Sequence, residues 1–307
     1  MDLPKNIRDW KARVLRAYGR DLPPKPSEIR WTGGSHVTEK EFLALRCYWQ
    51  DPDTVADPMT DSDARRLDIY TQWGPAKRWL NAYPPFRAYL NHVKSNRNTT
   101  YWDIGNPEKD AYNLGIMEIP RKTQQLMITA VRDGKPRDEQ MVITSLVSFL
   151  QSITIANRAV RCHWSSRRKY LDANFGGSSL RLFADGVLVD PATDGIKVLL
   201  EAKRNPGNDN RLSWQVSAEI AVFIKTSPTT PKSPVFVLSQ RGDEMYVMAA
   251  YFDAKYISYI RDSGPVSSSI DDGFLRVKTI GPFQISNGVH MEKFAQIALA
   301  ISIRRSQ

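Results

Sequence analysis

The sequence predicts an α/β protein: a mixed central sheet flanked by helices, preceded by a mostly helical N-terminal region. Three observations carry this. Two short runs, Val198-Leu199-Leu200 and Val235-Phe236-Val237-Leu238, are apolar on both faces, as strands in the middle of a sheet are. Segments with helical spacing of apolar residues stand before, between and after them. The chain has 307 residues, 41% hydrophobic and 25% charged, which fits two modest globular domains or one elaborated one. The boundary falls near residue 135, with residues 1–135 as the helical region and 136–307 as the core.

In the first region, Ile7, Trp10, Val14, Leu15 and Tyr18 are spaced for a helix over residues 5–18. Leu22-Pro23-Pro24-Lys25-Pro26 cannot continue it and reads as an extended linker. Thr38-Glu39-Lys40-Glu41 is a capping box and predicts a helix over about 39–49. A polar loop from Asp51 to Asp61 leads to a helix over about 62–73, capped by Asp61 or Ser62. Gly74-Pro75 is expected to break it, leaving a short amphipathic segment from Lys77 to Tyr83. Pro84-Pro85 breaks the chain again before a helix from Phe86 to Lys94. Asn96 to Asn106 reads as loop and Glu108 to Met117 as one more helix. The aromatics here, interleaved with arginines, could form a nucleic-acid surface; their helical spacing favours core packing with solvated basic faces between.

Gln124 to Val131 reads as a strand and Asp133-Gly134-Lys135-Pro136 as a turn. A long helix starts at Asp138, with an apolar stripe of Met141, Val142, Leu146, Phe149, Leu150 and Ile153, and with Asp138 and Glu139 in the first turn, where carboxylates suit the helix dipole. Val160 to Trp164 is a candidate strand, followed by the basic run to Lys169 and the Gly176-Gly177 loop. Leu182 to Val189 is a strand carrying Asp185. The turn Pro191 to Gly195 joins it to a second strand, Lys197 to Lys203. A turn from Arg204 to Asn210 leads to a helix from Leu212 to Ile224. The strand Val235 to Leu238 then turns at Gly242-Asp243 into a return strand, Met245 to Phe252. A polar loop, Ser263 to Gly273, precedes a last helix over about Met291 to Ile303.

Glu201-Ala202-Lys203 ends a buried strand in charge, which is costly unless the charges meet partners or a metal. Side chains alternate along a strand, so Glu201 and Lys203 share one side. Asp185 on the neighbouring strand brings a second carboxylate to that end of the hairpin. Two carboxylates make a hard oxygen site suited to Mg²⁺ or Mn²⁺. Phosphodiester hydrolysis needs what such a site offers, neutralisation of developing charge and an activated water.

Asp185-Gly186 followed by Glu201-Ala202-Lys203, within the order helix, strand, strand, strand, helix, strand from residue 138, resembles the PD-(D/E)xK nuclease superfamily, whose fold is restriction-endonuclease-like. The chain is similar to nuclease-like proteins of fungi. Ala184 stands in place of the family's leading proline. The resemblance implies that Asp185 and Glu201 bind Mg²⁺ or Mn²⁺, with the Ala202 carbonyl as a third ligand and Glu139, on the helix that opens the core, as an extra one. It implies that Lys203 holds or activates the attacking water, and that Gln215, on the following helix, orients water or phosphate. Some branches place tyrosine four residues beyond that glutamine; here the residue is Glu219. The plainer readings are a structural Glu201–Lys203 pair, an ordinary polar position for Gln215 and a helix-end carboxylate at Glu139.

The formal net charge of +10 favours a polyanionic partner, most simply nucleic acid, with DNA ahead of RNA. Arg161, Arg167, Arg168, Lys169 and Arg204 bracket the acids in sequence and are the candidate phosphate contacts, or else a solvated charge run. His163 is an alternative base, and Asp190 and Asp194 are alternative acids. Cys47 and Cys162 suit neither a disulfide framework nor a metal site, and the four histidines are scattered. No Walker, zinc-finger, G-x-S-x-G or dinucleotide pattern occurs. No apolar run approaches the ~20 residues of a membrane span, and the N-terminus lacks a signal-peptide core. The expected location is therefore the nucleus or cytoplasm. The expected function is a metal-dependent nuclease, with a homodimer as one way to cut two strands. The alternative is a catalytically inactive nuclease-fold protein that binds nucleic acid or another protein.

Overall fold

Strand β6 (Gly195–Lys203) lies inside a seven-stranded mixed sheet, and its sequence explains why. Val198, Leu200 and Ala202 face one hydrophobic core while Leu199 faces the other. Full burial of each of the valine and leucine side chains stabilises the fold by roughly 1.5–3 kcal/mol. Antiparallel to β6 runs β5 (Gly186–Asp190), which pairs in turn with β2 (His163–Ser165). Parallel to β6 on its other side runs β7 (Val235–Arg241). The hairpin partner β8 (Glu244–Tyr251), then β9 (Leu275–Gln284) and the short β1 (Cys47–Trp49) complete the order β1-β9-β8-β7-β6-β5-β2. A separate antiparallel ribbon is made by β3 (Lys169–Asn174) and β4 (Ser179–Ala184). The computed structural model describes residues 2–33, 36–52, 60–95, 113–133, 138–205, 210–262 and 272–307.

Helices cover both faces of the sheet. One face carries α3 (Asp61–Arg66), α4 (Tyr70–Ala82), α5 (Pro84–Ser95), α6 (Glu118–Arg132), α7 (Glu139–Thr154) and α10 (Gly288–Arg305), whose Leu80, Phe86, Phe149 and Phe294 fill the first core. The other face carries α1 (Ile7–Tyr18), α2 (Glu39–Ala44), α8 (Asn210–Thr226) and α9 (Ala254–Arg261). Trp10, Phe42, Val216, Ile220 and Tyr256 fill the second core together with Leu171, Leu180 and Leu182 of the ribbon. The helices before residue 135 thus share both cores with the sheet, and β1 extends the sheet through its parallel pairing with β9.

The α/β class, the mixed sheet, the helix starting at Asp138 and the β7–β8 hairpin are as expected. Several elements differ, each for a physical reason. The capping box at Thr38 is present, but α2 ends at Ala44; Arg46 turns left-handed (φ 49°) and Cys47–Trp49 pairs as a strand. Thr60 rather than Asp61 or Ser62 caps α3, which ends at Arg66 before Asp68 goes left-handed (φ 55°). Pro75 sits inside α4 without ending it. Gln124 to Val131 belongs to helix α6, with Met127 buried and Leu126 exposed, rather than to a strand. The expected strand Leu182 to Val189 is two strands, β4 and β5, in two different sheets. The strands β3 and β9 and the helix α9 had no expectation. The helix expected over Glu108 to Met117 is described only from residue 113 and closes as a 3₁₀ turn, Gly115–Met117. The loops and turns expected at Asn96–Asn106, beyond Asp133, beyond Arg204 and over Ser263–Gly273 fall wholly or largely outside the described residues.

Candidate active site

Two adjacent parallel strands turn polar in register: Glu201 lies opposite Ser239, Ala202 opposite Gln240 and Lys203 opposite Arg241. The carboxyl ends of parallel strands are where α/β sheets present ligand-binding groups. Asp185 reaches this end because the chain crosses from the ribbon into the main sheet there. Its N–H donates to the Leu200 carbonyl at 3.1 Å, and its Oδ2 accepts the Ala202 N–H at 3.0 Å. The crossing demands glycine next: a Cβ on Gly186 would lie 2.6 Å from the Ser165 carbonyl oxygen and 3.0 Å from Leu200 Cδ1.

Glu201 is 0% exposed. Its Oε1 takes an ion pair from Lys203 Nζ at 2.5 Å and a hydrogen bond from Gln215 Nε2 at 3.1 Å. The same Gln215 amide nitrogen donates to Glu219 Oε1 at 2.8 Å, so one glutamine on α8 bridges two fully buried carboxyl groups. Glu201 Oε2 and Glu219 Oε2 are both buried and make no hydrogen bond among the described residues. Lys203 Nζ also meets Glu139 Oε1 at 3.2 Å, which brings the first turn of α7 to the site. On the solvent side, Arg168, 63% exposed, lies 3.3 Å from Asp185 Oδ1.

Burial pushes Glu201 up to about 8, against the pull of the Lys203 ammonium. Burial likewise holds Glu219 well above the usual carboxylate range, and the charge of Glu201 adds to it. Burial raises Asp185 too, opposed by the Ala202 N–H and Lys203. For Lys203 burial works the other way, but Glu201 outweighs it and Glu139 and Asp185 add to that, so the ammonium is held above its ordinary range and stays charged at neutral pH.

The structure brings Asp185, Glu201, Lys203, Gln215 and Glu139 together, with Ala202 contributing its N–H to Asp185. Of the basic candidates, Arg168 is seen on one of these carboxylates, Asp185. Lys169 pairs with Asp194 at 2.6 Å, which also occupies that alternative acid, while Asp190 pairs with Lys197. Arg167 and Arg204 are exposed, and Arg167 acts on Asp194. Arg161 stands before β2 at the end remote from Asp185, its N–H on Ser306 Oγ. His163 begins β2 opposite Val189, at the same remote end. Sequence reasoning noted Glu219 without a role and missed Arg241, buried at the end of β7 and stacked 4.4 Å from the Tyr246 ring. The signal for Arg241 was the polar ending Ser239-Gln240-Arg241, which repeats that of β6.

An all-oxygen donor set with one buried, unbonded carboxylate oxygen fits a hard divalent cation. Asp185 and Glu201 would hold it. Among the described residues no three His, Cys, Asp or Glu side chains are already gathered as a metal cage. A cavity of about 870 Å³ lies one strand over, lined by Arg241, Glu244 and Tyr246 and by none of the three motif residues. Among the described residues no helix is long and apolar enough to cross a membrane. No family model, curated protein or solved structure matches the chain.

Proposed function

We propose that the chain is a metal-dependent nuclease with a restriction-endonuclease-like core, cleaving phosphodiester bonds of DNA or RNA. The single observation that carries the reading is the convergence of Asp185, Glu201 and Lys203 at the carboxyl end of β6, with Glu139 and Gln215 on helices from opposite faces of the sheet. A structural ion pair needs one acid and one base; here three carboxylates surround one ammonium.

A Mg²⁺ or Mn²⁺ ion held by Asp185 and Glu201 would supply Lewis-acid charge neutralisation at the scissile phosphate. The residues themselves do the rest. Lys203 Nζ, kept protonated, donates hydrogen bonds to the attacking water or to a phosphoryl oxygen as charge develops there. Gln215 fixes the rotamer of Glu201 by holding Oε1, which leaves Oε2 unbonded. The Ala202 N–H does the same for Asp185 through Oδ2, leaving Oδ1 on the solvent side beside Arg168. Arg168 and Arg167 give the phosphate backbone cationic contacts at the entrance.

The test is cleavage of labelled single- and double-stranded DNA and RNA with Mg²⁺, Mn²⁺ or EDTA, using wild type, Asp185→Ala and Lys203→Ala. Cutting that needs the ion and is lost in both variants is the expected result. Absence of cutting together with salt-sensitive binding that survives both substitutions would replace the nuclease by a nucleic-acid-binding module on the same fold.

A further inference from the structure

The ribbon of β3 and β4 has an outer face that its fold does not use. Its inner residues Leu171, Ala173, Leu180, Leu182 and Ala184 are buried in the second core. The outer residues at the site end are an aromatic pair, Tyr170 directly opposite Phe183 in the ladder, with ring centroids 5.1 Å apart. They are 49% and 53% exposed, in contrast to the buried aromatics of the two cores. The pair adjoins the candidate active site along both strands: Arg168, which meets Asp185, stands two residues before Tyr170, and Asp185 itself follows Phe183 by two. Arg181 continues the outer face, facing Asp172 at 3.6 Å, and Asp172 also accepts the Tyr170 hydroxyl at 3.3 Å.

A cross-strand aromatic pair stabilises a two-stranded ribbon. That accounts for an aromatic pair and not for its placement, since the ribbon is already anchored by its inner face. The two half-exposed rings adjoin Arg168 and Arg181, which meet Asp185 and Asp172, in a chain of formal net charge +10; rings set beside cations match a polyanion that carries flat apolar surfaces. Unpaired nucleotides have both features, and bases stack on aromatic side chains without regard to sequence.

We propose that Tyr170 and Phe183 form a stacking platform for unpaired bases, and that the strand to be cut enters the site single-stranded across the outer face of the ribbon. The substrate class rests on the nuclease reading; the platform itself is a binding property and stands or falls separately.

The experiment measures binding in EDTA, where no cutting occurs, by fluorescence anisotropy. The probes are a labelled oligothymidylate, a labelled oligouridylate and a blunt hairpin duplex of equal phosphate number. Tyr170→Ala and Phe183→Ala are each expected to weaken single-strand binding by at least about fivefold while duplex binding changes little. Tyr170→Phe and Phe183→Trp are expected to retain it. Equal weakening on duplex and single strands, or no weakening, would overturn the proposal. So would a change of oligomeric state on light scattering in the alanine variants, which would assign the face to a second copy of the chain. Photocrosslinking of wild-type protein to a 5-iodouracil oligonucleotide needs no variant to fold: crosslinks at Tyr170 or Phe183 support the platform, and crosslinks confined to other residues overturn it. A wild type that shows platform-dependent binding without metal-dependent cutting would remove the nuclease reading and keep the platform. The reverse pattern would remove the platform alone.

Discussion

Replacing Glu219 by glutamine should stabilise the protein at neutral and alkaline pH and leave it near wild type in acid. Glu219 and Glu201 are both fully buried, bridged by one amide that can donate to each of them. Both have folded-state pKa values above the ordinary value of 4.5 because burial disfavours the charged form. The sign follows from proton binding. Below about 4.5 the folded and unfolded chains both hold the protons, and neither group costs anything. Above it the unfolded chain releases them first, so the fold loses stability as pH rises, by up to ~1.4 kcal/mol per unit for each group, until the folded group ionises too. For Glu201 that window runs from 4.5 to about 8, a cost on the order of 5 kcal/mol at most. Glu219→Gln removes one of the two groups. Its amide oxygen can still accept from Gln215, so the acid-side difference stays within about 1 kcal/mol. The gain should pass ~1.4 kcal/mol within one unit of upward shift, which is a few degrees of Tm for a chain of this length. Thermal unfolding by circular dichroism in EDTA, from about pH 4.5 to about pH 8, measures it. A Tm difference independent of pH, or one that grows toward acid, would refute the buried, proton-holding pair.

Three further outcomes follow from named contacts. Gly186→Ala forces a methyl against the Ser165 carbonyl oxygen at 2.6 Å and should cost about 1–3 kcal/mol, read as a lower urea midpoint; an unchanged midpoint would show that β2 yields there. Lys203→Met should abolish the proposed cutting and also destabilise the fold as pH rises through about 8, where the buried Glu201 would ionise and has lost its 2.5 Å partner. The loss should fall short of the ~3–5 kcal/mol of a fully buried pair, since Lys203 leaves about a third of its side chain in water. Burial pushes the Cys47 thiol up to about 12, so a thiol reagent should leave Cys47 untouched in the native protein and label it on unfolding; labelling at the native rate of a free thiol would contradict that burial.

How much of this was legible differs from residue to residue. The motif acids were, because strand alternation is a local rule: Glu201 and Lys203 had to share a side, and a strand ending in charge had to find partners. The split at Asp185 was also written in the chain, but as a change of phase. In β4 the inward residues of the second core are even-numbered, Leu180, Leu182 and Ala184; in β5 they are odd-numbered, Val187 and Val189. A single strand cannot change parity without a break, so that slip across Asp185-Gly186 marks the place where the chain leaves the ribbon for the main sheet. Glu139 was brought to the site only by the family resemblance, and Glu219 was visible as a residue and invisible as a partner. Their approach to Lys203 and Gln215 depends on how α7 and α8 sit on opposite faces of the sheet, which no spacing within either helix contains. Gln124 to Val131 failed for a related reason: a short apolar run does not separate strand from helix by itself, and packing of Met127 into the first core decides it.

The same contrast explains why the aromatic pair escaped notice. Tyr170 and Phe183 are thirteen residues apart in sequence, and each alone is an ordinary strand residue. Only the register of the ribbon sets one against the other, and only the burial of its inner face turns both rings outward. The site so assembled has two layers of different origin. Its buried half, Glu201 with Gln215 and Glu219, is set by a helix packed on the sheet and is costly to ionise. Its outer half, the buried Asp185 with the exposed Arg168 beside the aromatic pair, is set by the crossing of the chain between two sheets. A cation or a phosphate arriving at Lys203 would meet both halves at once. Because the buried half holds its protons at neutral pH, a cation bound there would have to displace them, so affinity for Mn²⁺ should rise with pH, and Glu219→Gln, which cannot ionise, should bind Mn²⁺ more weakly than wild type on the alkaline side, measurable by calorimetry. A variant that gained stability at high pH and bound Mn²⁺ as tightly as wild type would separate the two halves and assign Glu219 to folding alone.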